Sequence, residues 1–193
     1  NRGLCYMNPA SNQNVFTNYY LIYGRPSLNG KVVDALTVDH KGRIWASINA
    51  KGINVIDREK GTYTYLTSDG AGMQSLASNL YLGIYQDNAG KMFLASLRQG
   101  IEIISLSGEQ KTHIRAFRPH APKEEILIRD IAVFKDSIMF IAGDHNCYYF
   151  DLHSHQIGYL TDLSFNQTLK NNLTLHTVAT DNKNKIYFAG TSF

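Results

Sequence analysis

Between Val33 and Leu66 the apolar residues come in four short runs, rich in β-branched and aromatic side chains and each closed by a turn signal. Nowhere in the stretch do they recur at the 3.6-residue spacing of a helix, so the pattern predicts four antiparallel strands. The same unit returns along the chain. Leu36 on the first strand is matched by Ile84, Ile131 and Val178. Trp45 on the second is matched by Phe93, 48 residues later, then by Phe140 and Tyr187 at intervals of 47. The intervening turns read Asp39-His40-Lys41-Gly42, Asp87-Asn88-Ala89-Gly90 and Asp181-Asn182-Lys183-Asn184. Gly or Asn at the last position suits the positive φ of a tight hairpin, and the leading Asp can bond its own backbone.

Third strands open at Gly52 and Gly100, and second turns follow at Arg58 to Gly61 and at Ser107-Gly108. Fourth strands are expected at Thr62 to Leu66, Gln110 to Ile114 and Gln156 to Leu160. Gly3 to Asn8 matches Gly52 to Asp57, so the first repeat enters halfway. Expected are a half unit over 1–23, complete units over 32–66, 80–114 and 128–160, and a leading half over 174–193. A period near 47 falls within the roughly 40–50 residues of propeller blades. Middle strands such as Met92 to Ala95 and Ile138 to Ala142 are apolar at successive positions, so both of their faces must be covered. A sandwich strand alternates instead, whereas a blade is stacked on both sides. The predicted fold is therefore all-β, a β-propeller of four-stranded antiparallel blades in one partial domain that belongs to a larger propeller. Connections at Gly24 to Lys31, Ser68 to Asn79, Arg118 to Glu125 and Asn166 to Asn172 read as polar loops from each outermost strand to the next innermost one. Glu124 to Ile131 has helical propensity, but the repeat places Ile128 to Phe134 on an innermost strand.

Composition adds limits. A chain of 193 residues with 44% hydrophobic and 18% charged residues can bury a core without staples. A net charge of +3, scattered along the chain, calls for neither nucleic acid nor an anionic surface. Cys5 and Cys147 are too few for a disulfide framework or a thiolate zinc site. No apolar run of membrane-spanning length occurs.

The run LTVDHKGRIWASINAKGINVIDREKGTYTYL resembles the propeller repeats in the sensor regions of hybrid two-component regulators from Bacteroides-type bacteria. That pattern is an aliphatic strand, Asp-x-x-Gly, an aliphatic-Trp pair, a Gly-led aliphatic strand and an aromatic strand. The third unit departs from it, since Phe134 to Ser137 lacks the turn glycine and Cys147 replaces the strand-opening Gly. The last half unit has Asn184 for Gly and Tyr187 for Trp. The resemblance implies an extracytoplasmic, ligand-sensing segment of a sensor histidine kinase, periplasmic and part of an inner-membrane protein. Its ligand would be an oligosaccharide. Its other partners would be the remaining sensor, membrane and kinase segments of the parent chain and a second copy in a homodimer, with no nucleic acid and no cofactor.

The channel positions on the innermost strands are Asp34, Leu82, Arg129 and His176, followed by Ala35, Gly83, Asp130 and Thr177. No ring of carboxylates or histidines emerges from them, which argues against catalysis and against a shared metal. A propeller lyase or lactonase with its site in that channel is the alternative, and a protein-interaction scaffold is a third reading. Asp151, His153 and His155 share a strand face, but they fall at an outer hairpin where polar residues are solvated. Trp45 and its counterparts could stack on a sugar, yet their middle-strand position makes them packing residues. Ligand contacts are instead expected on loops at one end of the blades: Arg25, Asn49, Lys51, Arg98, Gln99, Arg118, His120, Asp144 and His145. Arg and Asn there suit sugar hydroxyls and uronate carboxylates. Gly70-Ala71-Gly72 lacks the strand-to-helix context of a phosphate loop. The sequons at Asn166 and Asn172 read as chance in a bacterial protein.

Overall fold

A computed structural model describes the chain except residues 1–2, 8–9, 11–15, 106–110, 115–116, 119–120, 145–146, 161–172 and 193. The Ser107-Gly108 turn, the Asn166 to Asn172 connection and both sequon asparagines therefore lie outside the described residues. One compact unit extends up to Tyr81 and a second begins at Leu82.

In the first unit, β1 (Leu4–Met7) pairs antiparallel with β2 (Phe16–Tyr19). Strands β3 (Val33–Val38), β4 (Ile44–Ile48), β5 (Gly52–Asp57) and β6 (Thr62–Leu66) form an antiparallel sheet in chain order. Every residue of β4 is buried, as a strand covered on both faces requires. Ile44, Ala46 and Ile48 join Leu28 and Ile56 in one cluster, against which Leu4, Tyr19, Val33 and Tyr63 pack. Trp45 and Ser47 alternate with them and are buried too.

The second unit holds the antiparallel sheet β7 (Tyr81–Gln86), β8 (Lys91–Ser96), β9 (Gly100–Ser105) and β10 (Lys111–Ile114). A short ribbon, β11 (Phe117–Arg118) with β12 (Ala121–Glu125), follows. Next comes a third four-stranded sheet: β13 (Ile128–Phe134), β14 (Ile138–Gly143), β15 (Cys147–Asp151) and β16 (Ile157–Tyr159). The pair β17 (Leu173–Thr180) and β18 (Ile186–Ser192) ends the unit. Faces of successive sheets meet, because Phe93, Ala95 and Ile103 cluster with Met139, Ile141 and Phe150. The other face of β14, Phe140 and Ala142, packs on Leu175 and Val178. Phe93, a counterpart of Trp45, meets Phe150 edge-on at 6.5 Å.

The architecture is thus all-β, built of four-stranded antiparallel blades, with a 3₁₀ turn at Gly72–Gln74 and no α-helix among the described residues. Ile128 to Phe134 is a strand, as the repeat predicts against local propensity. Two expectations are corrected. Arg118 to Glu125 is not an open loop but most of a ribbon, since a long excursion must pair its backbone groups with something and here pairs them with each other. In the last hairpin the positive φ falls on Asn182 (55°) and not on Asn184, whereas Gly42 (75°) and Gly90 (84°) are left-handed as expected. Asp181 Oδ1 there accepts from the N–H groups of Lys183, Asn184 and Lys185, an arrangement that closes the turn without a final glycine. The Phe134 to Ser137 turn uses positive φ at both Lys135 and Asp136, the type I′ solution.

Candidate functional site

The two ends of each blade are chemically different. At the end holding the first hairpin, Asp39 is buried, and its carboxylate accepts from the Lys41 and Arg43 N–H groups (2.9 Å each), Arg43 Nε (2.7 Å) and Trp45 Nε1 (2.9 Å). Burial pushes this carboxyl up, but the Trp45 and Arg43 donors outweigh it and hold Asp39 below the ordinary 3.8. Every acceptor position is consumed within the turn, so this motif is structural.

The opposite end gathers the loops. In the first unit, Asn49 N–H donates to Val32 O (3.0 Å) and Asn29 Nδ2 donates to Lys51 O (3.1 Å). The loop between second and third strands is thereby tied to the connection that enters the innermost strand. In the second unit, Ile128 N–H donates to Leu97 O (3.0 Å), Asp144 N–H to Leu127 O (3.2 Å) and Leu127 N–H to Asp144 Oδ1 (2.8 Å). Each connection is also plugged into the core by an apolar residue: Leu28, Leu76 and Ile126 are almost fully buried. The connections are therefore held at both levels, by backbone hydrogen bonds and by burial.

Among the residues expected to meet ligand, Arg25, Asn49 and Lys51 are exposed in the first unit. In the second, Arg98 is exposed and Gln99 half-buried, while Asp144 is buried with its carboxylate bonded to Leu127. Arg118 is described only through its backbone in β11, and His120 and His145 lie outside the described residues.

The same end carries a feature that periodicity does not reveal. Val33 pairs with Ile48 and Ala35 with Ser47, so Asp34 is an extra residue in β3. Ile128 pairs with Gly143 and Asp130 with Ala142, which makes Arg129 the extra residue in β13. His176 stands likewise in β17, between Leu175 opposite Gly190 and Thr177 opposite Ala189. A bulge turns its extra side chain out of the regular alternation, and such sites often serve to aim a side chain. The extra residues of three innermost strands are thus Asp34, Arg129 and His176. Asp34 Oδ2 accepts from Asn49 Nδ2 (2.9 Å), and His176 Nε2 meets Thr191 Oγ1 (3.3 Å). Asp130 Oδ2 accepts from Thr177 Oγ1 (2.5 Å) and Val178 N–H (3.0 Å), tying β13 to β17 beside these bulges.

Elsewhere, a groove of about 690 Å³ in the first unit is lined by Gly3, Leu4, Cys5, Asn18, Tyr19, Tyr20, Leu21 and Lys31. Nothing in the repeat pattern marks it, because its residues are set by the β1–β2 pair and not by a motif. Asp151 Oδ1 accepts from His153 and Ser154 N–H, and the His155 ring stacks on Phe150. Among the described residues no three His, Cys, Asp or Glu side chains converge as a metal would need, and no helix is long and apolar enough to cross a membrane.

No protein-family model matches the chain, and no curated protein does. Solved structures do. One is the extracellular domain of a candidate hybrid two-component system, BT3049, from B. thetaiotaomicron, at 17% identity and TM-score 0.68 over 92% of this chain. A second is the extracellular domain of another such system, BT4673, from the same organism, at 18% identity and TM-score 0.63 over 90% of the chain. The β-propeller domain of Cps50 (Swd1) from Myceliophthora thermophila matches 82% of the chain at 10% identity and TM-score 0.55. The chain spans only 22% and 21% of the two bacterial structures. The fold of the chain is that of these propeller-bladed domains.

Proposed function

We propose that the chain is a sensing segment of an extracytoplasmic β-propeller, which binds an oligosaccharide at the loop-bearing end of its blades and does not turn it over. The observation that carries this reading is the contrast between the two blade ends. One end spends its polar groups on its own hairpins. The other holds pinned loops that leave Arg25, Asn49 and Lys51 exposed in one unit and Arg98 in the other. Rigid scaffolds with polar loops are suited to ligand recognition. Likeness to extracellular domains of candidate two-component systems supports a periplasmic, membrane-tethered sensor with its kinase elsewhere in the parent protein. In such a sensor the ligand acts by binding one signalling state more tightly than another.

Apolar surface supports membership of a larger propeller. Leu36 is 54% exposed although its counterpart Val178 is 5% exposed, and Tyr187 is 54% exposed although Trp45, Phe93 and Phe140 are all at 5% or below. Further blades would cover both. Calorimetry against a panel of plant and host oligosaccharides tests the function. Saturable binding that weakens in Arg98→Ala, at an unchanged melting temperature, is expected. Absence of binding to every member, or equal affinity in Arg98→Ala and Lys51→Ala, would remove the assignment of the loop-bearing end.

A further inference from the structure

Asn49, Asp144 and Thr191 occupy equivalent places in their repeats, near the end of the second strand and beside the bulged residues Asp34, Arg129 and His176. In the first and last units the two positions bond to each other, as Asp34 with Asn49 and His176 with Thr191. The third unit should then contain an Arg129 to Asp144 ion pair. It does not. Asp144 turns Oδ1 to Leu127 N–H and not to Arg129. The Arg129 Nε is fully buried and unbonded. A cationic N–H kept from water without an acceptor is costly, and groups of this kind in folded proteins call for a role.

From this we infer that Arg129 is an anchor for an anionic group, a carboxylate or sulfate ester, carried by the saccharide. The inference rests on the saccharide reading above and narrows it to acidic saccharides. Arg is suited to such groups because its planar donors match two oxygens at once. Its surroundings agree. The neighbouring bulge holds exposed His176, whose Nε2 meets Thr191, and the carboxylate of the next residue, Asp130, is engaged by Thr177 and Val178. The backbone just before Arg129 is pinned to the Leu97 loop, which places the exposed Arg98 next in sequence to that contact. Two cations therefore belong to neighbouring loop and strand segments of two successive repeats within the second compact unit.

The test follows the Arg129 Nε–Hε signal in a proton–nitrogen correlation spectrum, identified through its loss in Arg129→Lys. The protein is titrated with trigalacturonate, glucose 6-sulfate, sodium sulfate and maltotriose, and affinities are repeated in Arg129→Gln. A saturable shift with trigalacturonate or the sugar sulfate is expected, with affinity about tenfold or more above that for maltotriose and lost in Arg129→Gln at an unchanged melting temperature. Whichever of the two probes shifts the signal identifies carboxylate or sulfate as the group. If maltotriose binds as tightly as the acidic probes and Arg129→Gln changes nothing, the anion anchor is refuted while the saccharide sensor stands. Sodium sulfate shifting the signal when no saccharide binds would refute the sensor reading and leave the anion site. No shift with any anion overturns the inference outright.

Discussion

Replacing Asp39 by Ala strips the first hairpin of an acceptor that serves four donors, and the structure allows the loss to be apportioned. Lys41 and Arg43 lie at the surface, so their N–H groups can turn to water. The Arg43 side chain is 26% exposed and also rehydrates, so its ion pair contributes at most about 1 kcal/mol. Trp45 cannot do so, being only 3% exposed. Its Nε1–H would be left buried and unbonded, at a cost of about 1–3 kcal/mol. Asp39→Ala should therefore destabilise the protein by roughly 2–4 kcal/mol. Trp45→Phe removes the donor as well as the acceptor's main client, so the double variant should lose about 1–2 kcal/mol less than the sum of the single ones. Urea unfolding followed by far-ultraviolet dichroism is the suitable assay, because Trp45 is the sole tryptophan and fluorescence would vanish in half of the cycle. A loss under about 0.5 kcal/mol for Asp39→Ala, or strict additivity in the cycle, would refute the assignment of this carboxylate as the partner of the buried indole. The pH dependence carries a sign. The folded-state pKa of Asp39 lies below the ordinary 3.8, so its stabilisation is present above that value and fades as pH falls through the folded value. The gap between wild type and Asp39→Ala should accordingly shrink in acid.

Three further outcomes are expected. A Cβ added at Gly83 would overlap Ile131 Cγ1 and Cδ1, so Gly83→Ala should cost about 1–3 kcal/mol and be largely rescued by Ile131→Ala; failure of rescue in denaturant titrations would remove this contact as the cause. Burial pushes the Cys147 thiol up to about 11, so near neutral pH iodoacetamide should label exposed Cys5 and spare Cys147, and equal labelling read by mass spectrometry would contradict that environment. Tyr85 donates to Asp136 at 2.6 Å across two blades of the second unit; Tyr85→Phe and Asp136→Ala should each lose about 1–2 kcal/mol and together little more than the larger, whereas simple addition would show that they act separately.

Much of the architecture can be read from side-chain spacing, because a blade covered on both faces imposes a strict demand. Trp45, Phe93, Phe140 and Tyr187 recur at near-constant intervals since each middle strand needs a large apolar residue there, and Asp39 and Asp87 recur because each hairpin needs an acceptor. The same demand let the repeat override local helical propensity at Glu124 to Ile131. What escaped depends on pairing, which spacing does not encode. The bulges at Asp34, Arg129 and His176 become visible only when each residue has a known partner across the ladder. Sequence spacing puts them at equivalent positions, but one acid, one guanidinium and one imidazole do not form a set of like residues. Leu28 and Leu76 sit in segments whose composition reads as polar loop, although the 48-residue step between them is a usable signal. The polar neighbours of Asp144 suggest a ligand contact, and its bond to Leu127 N–H is not encoded in composition.

Which end of the blades meets ligand is measured in one experiment by hydrogen exchange with and without the oligosaccharide that binds best in calorimetry. Added ligand should slow exchange at 25–31 and 49–51 of the first unit or at 97–99 and 126–130 of the second, and leave the hairpins at 39–43, 87–91, 135–137 and 181–185 unchanged. Protection confined to those hairpins would contradict the assignment of the loop-bearing end.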